Sequence, residues 1–87
     1  MIALTRALAR ELGAHQITVN TVAPGLTAGE SSERIPADRH ELYRRNRAIA
    51  RDQHPDDLTG TVAFLLGPEA GYLTGQLIVI DGGFILH

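Results

Sequence analysis

The chain has 87 residues, 44% of them apolar, with a net charge of −2, four His and no Cys. That length suits one small domain, which buries about 60–65% of its unfolded surface and stands near the limit of independent stability. All eight basic residues are Arg, so Schiff-base lysines, disulfides, thiolate metal sites and Cys nucleophiles are excluded from the chain. The small net charge gives no general pull towards nucleic acid or an anionic membrane.

Residues 1–13 predict a helix closed by Gly13 as a left-handed cap. Leu4, Leu8 and Leu12 recur every four residues on Met1's face, with Ala3 and Ala7 beside them, and the breadth of this arc predicts a helix covered on two sides. Residues 17–25 predict a strand and the loop that leaves it. The run Ile17-Thr18-Val19-Asn20-Thr21-Val22-Ala23 lacks strict alternation, as in a strand buried on both faces of a parallel sheet, and Pro24 is expected to end it. Asn20, beside the strand's exit, reads as a hydrogen-bonded structural residue, with steering of a ligand loop as the alternative.

Residues 26–51 are the most polar stretch and predict a lid or binding loop, with one helix over 37–46 that opens at Pro36 and carries Asp38 in its first turn. Residues 55–67 predict a second strong helix. Pro55 starts it, Asp56 and Asp57 meet its positive end, Leu58, Val62, Leu65 and Leu66 form its apolar face, and Gly67-Pro68 stops it. Residues 76–83 predict the last strand and its closing turn, Asp81-Gly82-Gly83. Strand, helix, strand implies a right-handed crossover and a parallel pair. Two parallel strands bury their faces poorly, so a larger sheet is expected around them.

No apolar run reaches the roughly 18 residues of a membrane span. The start of the chain lacks the apolar region and cleavage site of a signal peptide, so a cytoplasmic location is expected. The four His are scattered, which disfavours a metal site. Ser31 and Ser32 lack the turn that exposes a hydrolase nucleophile. Arg44, Arg45, Arg47 and Arg51 sit among acids without interleaved aromatics, so they read as a solvated lid rather than a nucleic-acid surface.

Several segments, taken together and in order, resemble the C-terminal part of a short-chain dehydrogenase/reductase. They are Leu4-Thr5-Arg6-Ala7-Leu8-Ala9, Glu11-Leu12-Gly13, Ile17-Thr18-Val19-Asn20, Val22-Ala23-Pro24-Gly25, Asp57-Leu58, Phe64-Leu65, Leu73-Thr74-Gly75-Gln76 and Val79-Ile80-Asp81-Gly82-Gly83. The resemblance implies the C-terminal part of a doubly wound, parallel-sheet Rossmann fold of class α/β, with two parallel strands, flanking helices and a lid, in one partial domain over 1–87. It implies NAD or NADP as cofactor, a small-molecule alcohol or carbonyl substrate, and a homo-oligomer in which the first helix meets its copy.

By the same resemblance, the cofactor-binding residues are Pro24, Gly25, Leu26 and Thr27. Gly25 would allow close approach, and main-chain groups around Thr27 would meet the nicotinamide carboxamide. Relatives carry a Thr four residues after this glycine, near the cofactor phosphates. Here that position is Gly29, which leaves Thr27 as the candidate to take its place. The lid would cover the substrate, and Asp81-Gly82-Gly83 would pack structurally near a subunit interface. The family's Gly-rich loop and its catalytic Ser, Tyr and Lys have no counterpart in these 87 residues, and Tyr43 and Tyr72 fall in segments that do not match the catalytic Tyr. No catalytic residue is therefore assigned, and the isolated chain is expected to be inactive. The alternative is a non-catalytic interaction or dimerisation module derived from such an enzyme.

Overall fold

A computed structural model describes residues 1–25 and 36–84. Its elements are α1 (Ile2–Leu12), a 3-10 turn (Gly13–His15), β1 (Thr21–Pro24), α2 (Ala37–Asn46), α3 (Asp56–Leu66), a second 3-10 turn (Pro68–Ala70) and β2 (Leu77–Ile80). β1 and β2 form a two-stranded parallel sheet. The register runs in one direction along both chains: Gly75 N–H donates to Val19 O, Thr21 N–H to Gln76 O, and Gly25 N–H to Ile80 O. The fold is the α/β class expected, part of a Rossmann arrangement. The chain divides into two compact units, Met1–Ala23 with Gly60–Ile78 and Pro24–Thr59 with Val79–His87.

In the first unit, α1 turns Thr5 and Ala9 inward, and both are buried. The small residues, four apart, take the covered face, while Leu4 of the leucine stripe is 56% exposed. The Thr5 hydroxyl donates to Met1 O at 2.8 Å and hydrogen-bonds the Thr21 hydroxyl of β1. Gly13 has helical dihedrals rather than those of the expected cap. The left-handed position falls on Gln16, with φ 63° and ψ 29°, because a 3-10 turn extends the helical path by three residues.

β1 begins at Thr21, later than Ile17, because β2 is only four residues long and offers a ladder over that length alone. The residues before it are held by side chains instead. Val19 N–H donates to Thr74 Oγ1 at 2.9 Å, Asn20 Nδ2 donates to Leu73 O at 2.9 Å, and Gln76 N–H donates to Asn20 Oδ1 at 3.1 Å. Asn20 is thus a structural clamp. Gly75, at φ 75°, supplies the left-handed turn this clamp needs, and a Cβ there would lie 3.5 Å from the Ala9 Cβ. Pro24 belongs to the strand. Thr21 and Gly25 donate towards β2, so Pro24, out of phase with them, directs its ring nitrogen to the other edge, where its missing N–H removes no bond to β2.

In the second unit, Pro36 precedes α2 in an extended conformation instead of forming its first residue. The Tyr43 and Phe84 rings stack with centroids 4.9 Å apart. Ile49 N–H donates to Gly82 O at 2.8 Å, which ties the segment after α2 to the end of β2. α3 starts with Asp57 accepting the His54 N–H at 2.8 Å, while Asp57 N–H donates to His54 O. This is the return half of a capping box, with Asp in the usual Glu position.

Candidate functional site

The carboxyl ends of both strands converge in the second unit. Gly25 N–H, just past β1, donates to the carbonyl of Ile80, the last residue of β2. Pro24 is exposed and Gly25 half-buried, so this corner meets solvent at the edge where parallel α/β sheets bind ligands. Pro24 and Gly25 are the two predicted cofactor-side residues that the structure brings together here. Leu26 and Thr27 lie outside the described residues, as does Gly29, and of the stretch 26–51 expected to form a lid the structure describes Pro36 onward.

Gln53, which sequence reasoning missed, and Asp81, which it read as part of a structural turn, surround the corner. Gln53 is 5% exposed, and its Nε2 donates to Ile80 O at 2.6 Å. Ile80 O therefore accepts both Gln53 and Gly25. Asp81 is buried, and its Oδ1 accepts the Gly83 N–H at 3.0 Å, which fixes the turn where Gly82 and Gly83 both take positive φ. A Cβ on Gly25 would stand 2.8 Å from Gln53 Oε1 and 3.1 Å from the Asp81 Cβ. Glycine is thus required by crowding from within the protein, where the sequence pointed to ligand approach. The buried Asp81 had a sequence signal in its place before two glycines. Gln53 had none, because its partner is 27 residues away.

Behind the corner a cleft of about 180 Å³ is lined by Arg47, Ile49, Arg51, Gln53, Asp57, Ile80 and Gly82. Arg47 is buried, with its guanidinium carbon 5.7 Å from the Tyr43 ring centroid and its Nη1 donating to Arg51 O at 3.2 Å. Gly82 takes φ 68°, which favours glycine, and it packs against the Arg47 stem. Arg51 grips Asp57 through two hydrogen bonds, Nη1 to Oδ2 at 2.8 Å and Nη2 to Oδ1 at 2.6 Å. The Arg51 hydrogen bonds, helped by the His54 N–H, hold the Asp57 carboxyl well below the usual carboxylate range, and Asp57 raises Arg51 in turn. Arg44 lowers Asp52 likewise through a 2.8 Å bond. These ion pairs tie the segment that follows α2, Arg51 to the first turn of α3 and Asp52 back to Arg44 of α2. Among the described residues no group of three or more His, Asp or Glu is placed to hold a metal ion, and no helix is long and apolar enough to cross a membrane.

Open α/β sheets take their ligands outside the carboxyl ends of parallel strands, the edge at which Pro24-Gly25 stands. The comparisons give the family within this fold class. The family model described as enoyl-(acyl carrier protein) reductase matches residues 1–85. The short-chain reductase protein NovJ of Streptomyces niveus is 42% identical over 86 residues, which cover 91% of this chain and 33% of NovJ. A short-chain type dehydrogenase/reductase from Mycobacterium marinum superposes with a TM-score of 0.87 at 41% identity, over 99% of this chain and 34% of that one. A 4-hydroxyisoleucine dehydrogenase complexed with NADH and succinate superposes with a TM-score of 0.82 at 29% identity, over 95% of this chain and 34% of that one. The chain belongs to the short-chain dehydrogenase/reductase family of oxidoreductases. It spans about a third of the length of the relatives it matches.

Proposed function

We propose that this chain forms the nicotinamide-side part of an NAD(P)-dependent oxidoreductase that moves a hydride between the cofactor and an alcohol or carbonyl carbon of a small molecule. The observation that carries the proposal is the Pro24-Gly25 corner, accessible at the shared carboxyl end of two parallel strands and braced by Gln53 and Asp81. The corner lies at the edge where the fold class takes its ligand, with Pro24 exposed and Gly25 half-buried. Pro24 and Gly25 would bound the nicotinamide pocket, with Leu26 and Thr27 continuing the contact. The cofactor supplies the hydride, and the protein supplies orientation and water exclusion. The lid over 26–51 would close on the substrate. Its described end is pinned by the Tyr43–Phe84 stack and the Ile49–Gly82 hydrogen bond. Cytoplasmic, homo-oligomeric assembly belongs to the same proposal.

One observation favours the second reading, an interaction module without catalysis: among the described residues, the buried apolar side chains are Ala9 and Ala70 alone. A chain with so little core needs other surfaces to cover it. The two readings separate in one experiment. The chain is assayed for hydride transfer with NADH and NADPH, alone and joined to the upstream two thirds of NovJ. Turnover only in the joined protein supports the oxidoreductase; absence of cofactor binding in the joined protein supports the module.

A further inference from the structure

We propose that Gln53 is the positioning residue of the Pro24-Gly25 corner, holding the glycine main chain in place for the cofactor; the inference rests on the reading of that corner given above. Gln53 is 5% exposed and reaches Ile80 O through Nε2 at 2.6 Å. The same carbonyl accepts Gly25 N–H at 3.0 Å, so one oxygen joins the side chain to the corner. That bond orients the amide and leaves Oε1 over Gly25, where it stands 2.8 Å from the site of a Cβ.

Oε1 is buried and has no hydrogen-bond partner among the described residues. A buried acceptor without a donor opposes folding. A methionine of similar length would fill the same space without that cost. What glutamine adds is the donor to Ile80 O and a polar wall against Gly25, which together determine where the corner's backbone runs. The side chain is in turn held from its own segment, since Arg51, two residues earlier, is forked onto Asp57 in the first turn of α3.

The test follows amide hydrogen exchange in this chain and in the chain joined to the upstream two thirds of NovJ, with Gln53→Met as the variant. Exchange at Gly25 is expected to accelerate about tenfold while Thr21, which donates to Gln76 O, keeps its rate, because the loss is local. Affinity for NADH or NADPH in the joined protein falls about tenfold with the thermal midpoint unchanged or raised. Gln53→Glu supplies a second readout. Its carboxylate cannot donate to Ile80 O, so Gly25 exchange, corrected for intrinsic rates, is fast at neutral pH and slows on acidification as the protonated carboxyl regains the donor. The proposal is overturned if Gly25 exchange is unchanged in Gln53→Met, if Gly25 and Thr21 accelerate together, or if Gln53→Glu shows no recovery at low pH. Failure of the corner reading is separate: it appears as unchanged cofactor affinity in Gly25→Val.

Discussion

Arg51 and Asp57 are joined by a two-pronged hydrogen bond, 2.6 and 2.8 Å long, at the start of α3, and Asp57 also accepts the His54 N–H. The pair therefore links the segment after α2 to a helix cap. Asp57 titrates below its ordinary value of 3.8 in the folded chain. A carboxyl depressed on folding stabilises fully above its unfolded pKa, and that stability is lost as pH falls through the folded value. Urea unfolding between pH 7 and pH 2 should show the native chain losing stability below about pH 4, with Asp57→Asn flatter across the same window. Parallel curves for the two proteins would mean that the pair does not couple to folding.

Asn20 uses its side chain as both donor and acceptor, towards Leu73 O and from Gln76 N–H. Asn20→Ala leaves both main-chain groups without this partner and should cost about 1–3 kcal/mol. Asn20→Asp keeps the acceptor and places a negative oxygen against Leu73 O, so it should be no better than alanine. Denaturant midpoints of the three proteins check the order, and an unchanged midpoint in Asn20→Ala would show that water replaces the clamp.

At Gly25, the close approach of Gln53 and Asp81 changes what a substitution should do. If Gly25 served ligand approach alone, Gly25→Val would weaken cofactor binding more than folding. With a Cβ at 2.8 Å from Gln53 Oε1 and 3.1 Å from the Asp81 Cβ, both should fall, folding by about 1–3 kcal/mol as for an overpacked core. Gly25→Ala should give a smaller loss in the same direction. Thermal midpoint and cofactor affinity, measured together in the protein joined to NovJ's upstream part, separate the two effects.

Apolar exposure in the first unit predicts self-association. Leu66 is 83% exposed, Leu4 56% and Phe64 48%. Burying each is worth about 1.5–3 kcal/mol, which for three side chains is comparable to the stability of a small domain. Sedimentation over a concentration series should show association, and Leu4→Glu with Leu66→Glu should reduce it. A strictly monomeric native chain with a sharp unfolding transition would contradict the expectation.

Local patterns were legible where the physics is local. The 3.6-residue periodicity marks α1, and the Pro36 and Asp38 signals stand beside a helix whose residues are those of α2. The parallel strand pair followed from the order strand, helix, strand. Misplacements came from competition at longer range. Helical continuation through a 3-10 turn moved the left-handed cap from Gly13 to Gln16, and the brevity of β2 delayed the start of β1. The leucine and alanine arc of α1 was read as covered on two sides; within the chain the buried positions are Thr5 and Ala9, and the Thr5 hydroxyl bonds Thr21. In the candidate site, Pro24 and Gly25 were marked by the break they make in a β-branched run. Gln53 carried no such mark, because its role depends on Ile80, distant in sequence.

The central claim, that this chain builds the cofactor side of an NAD(P)-dependent oxidoreductase around Pro24-Gly25, is tested most directly by calorimetric titration of NADH and NADPH. The titrated proteins are the chain joined to the upstream two thirds of NovJ and its Gly25→Val variant. The account predicts saturable binding of one of the two cofactors by the first and at least tenfold weaker binding by the folded fraction of the second. Failure of the first protein, correctly folded, to bind either cofactor, or equal affinity in both proteins, would contradict it.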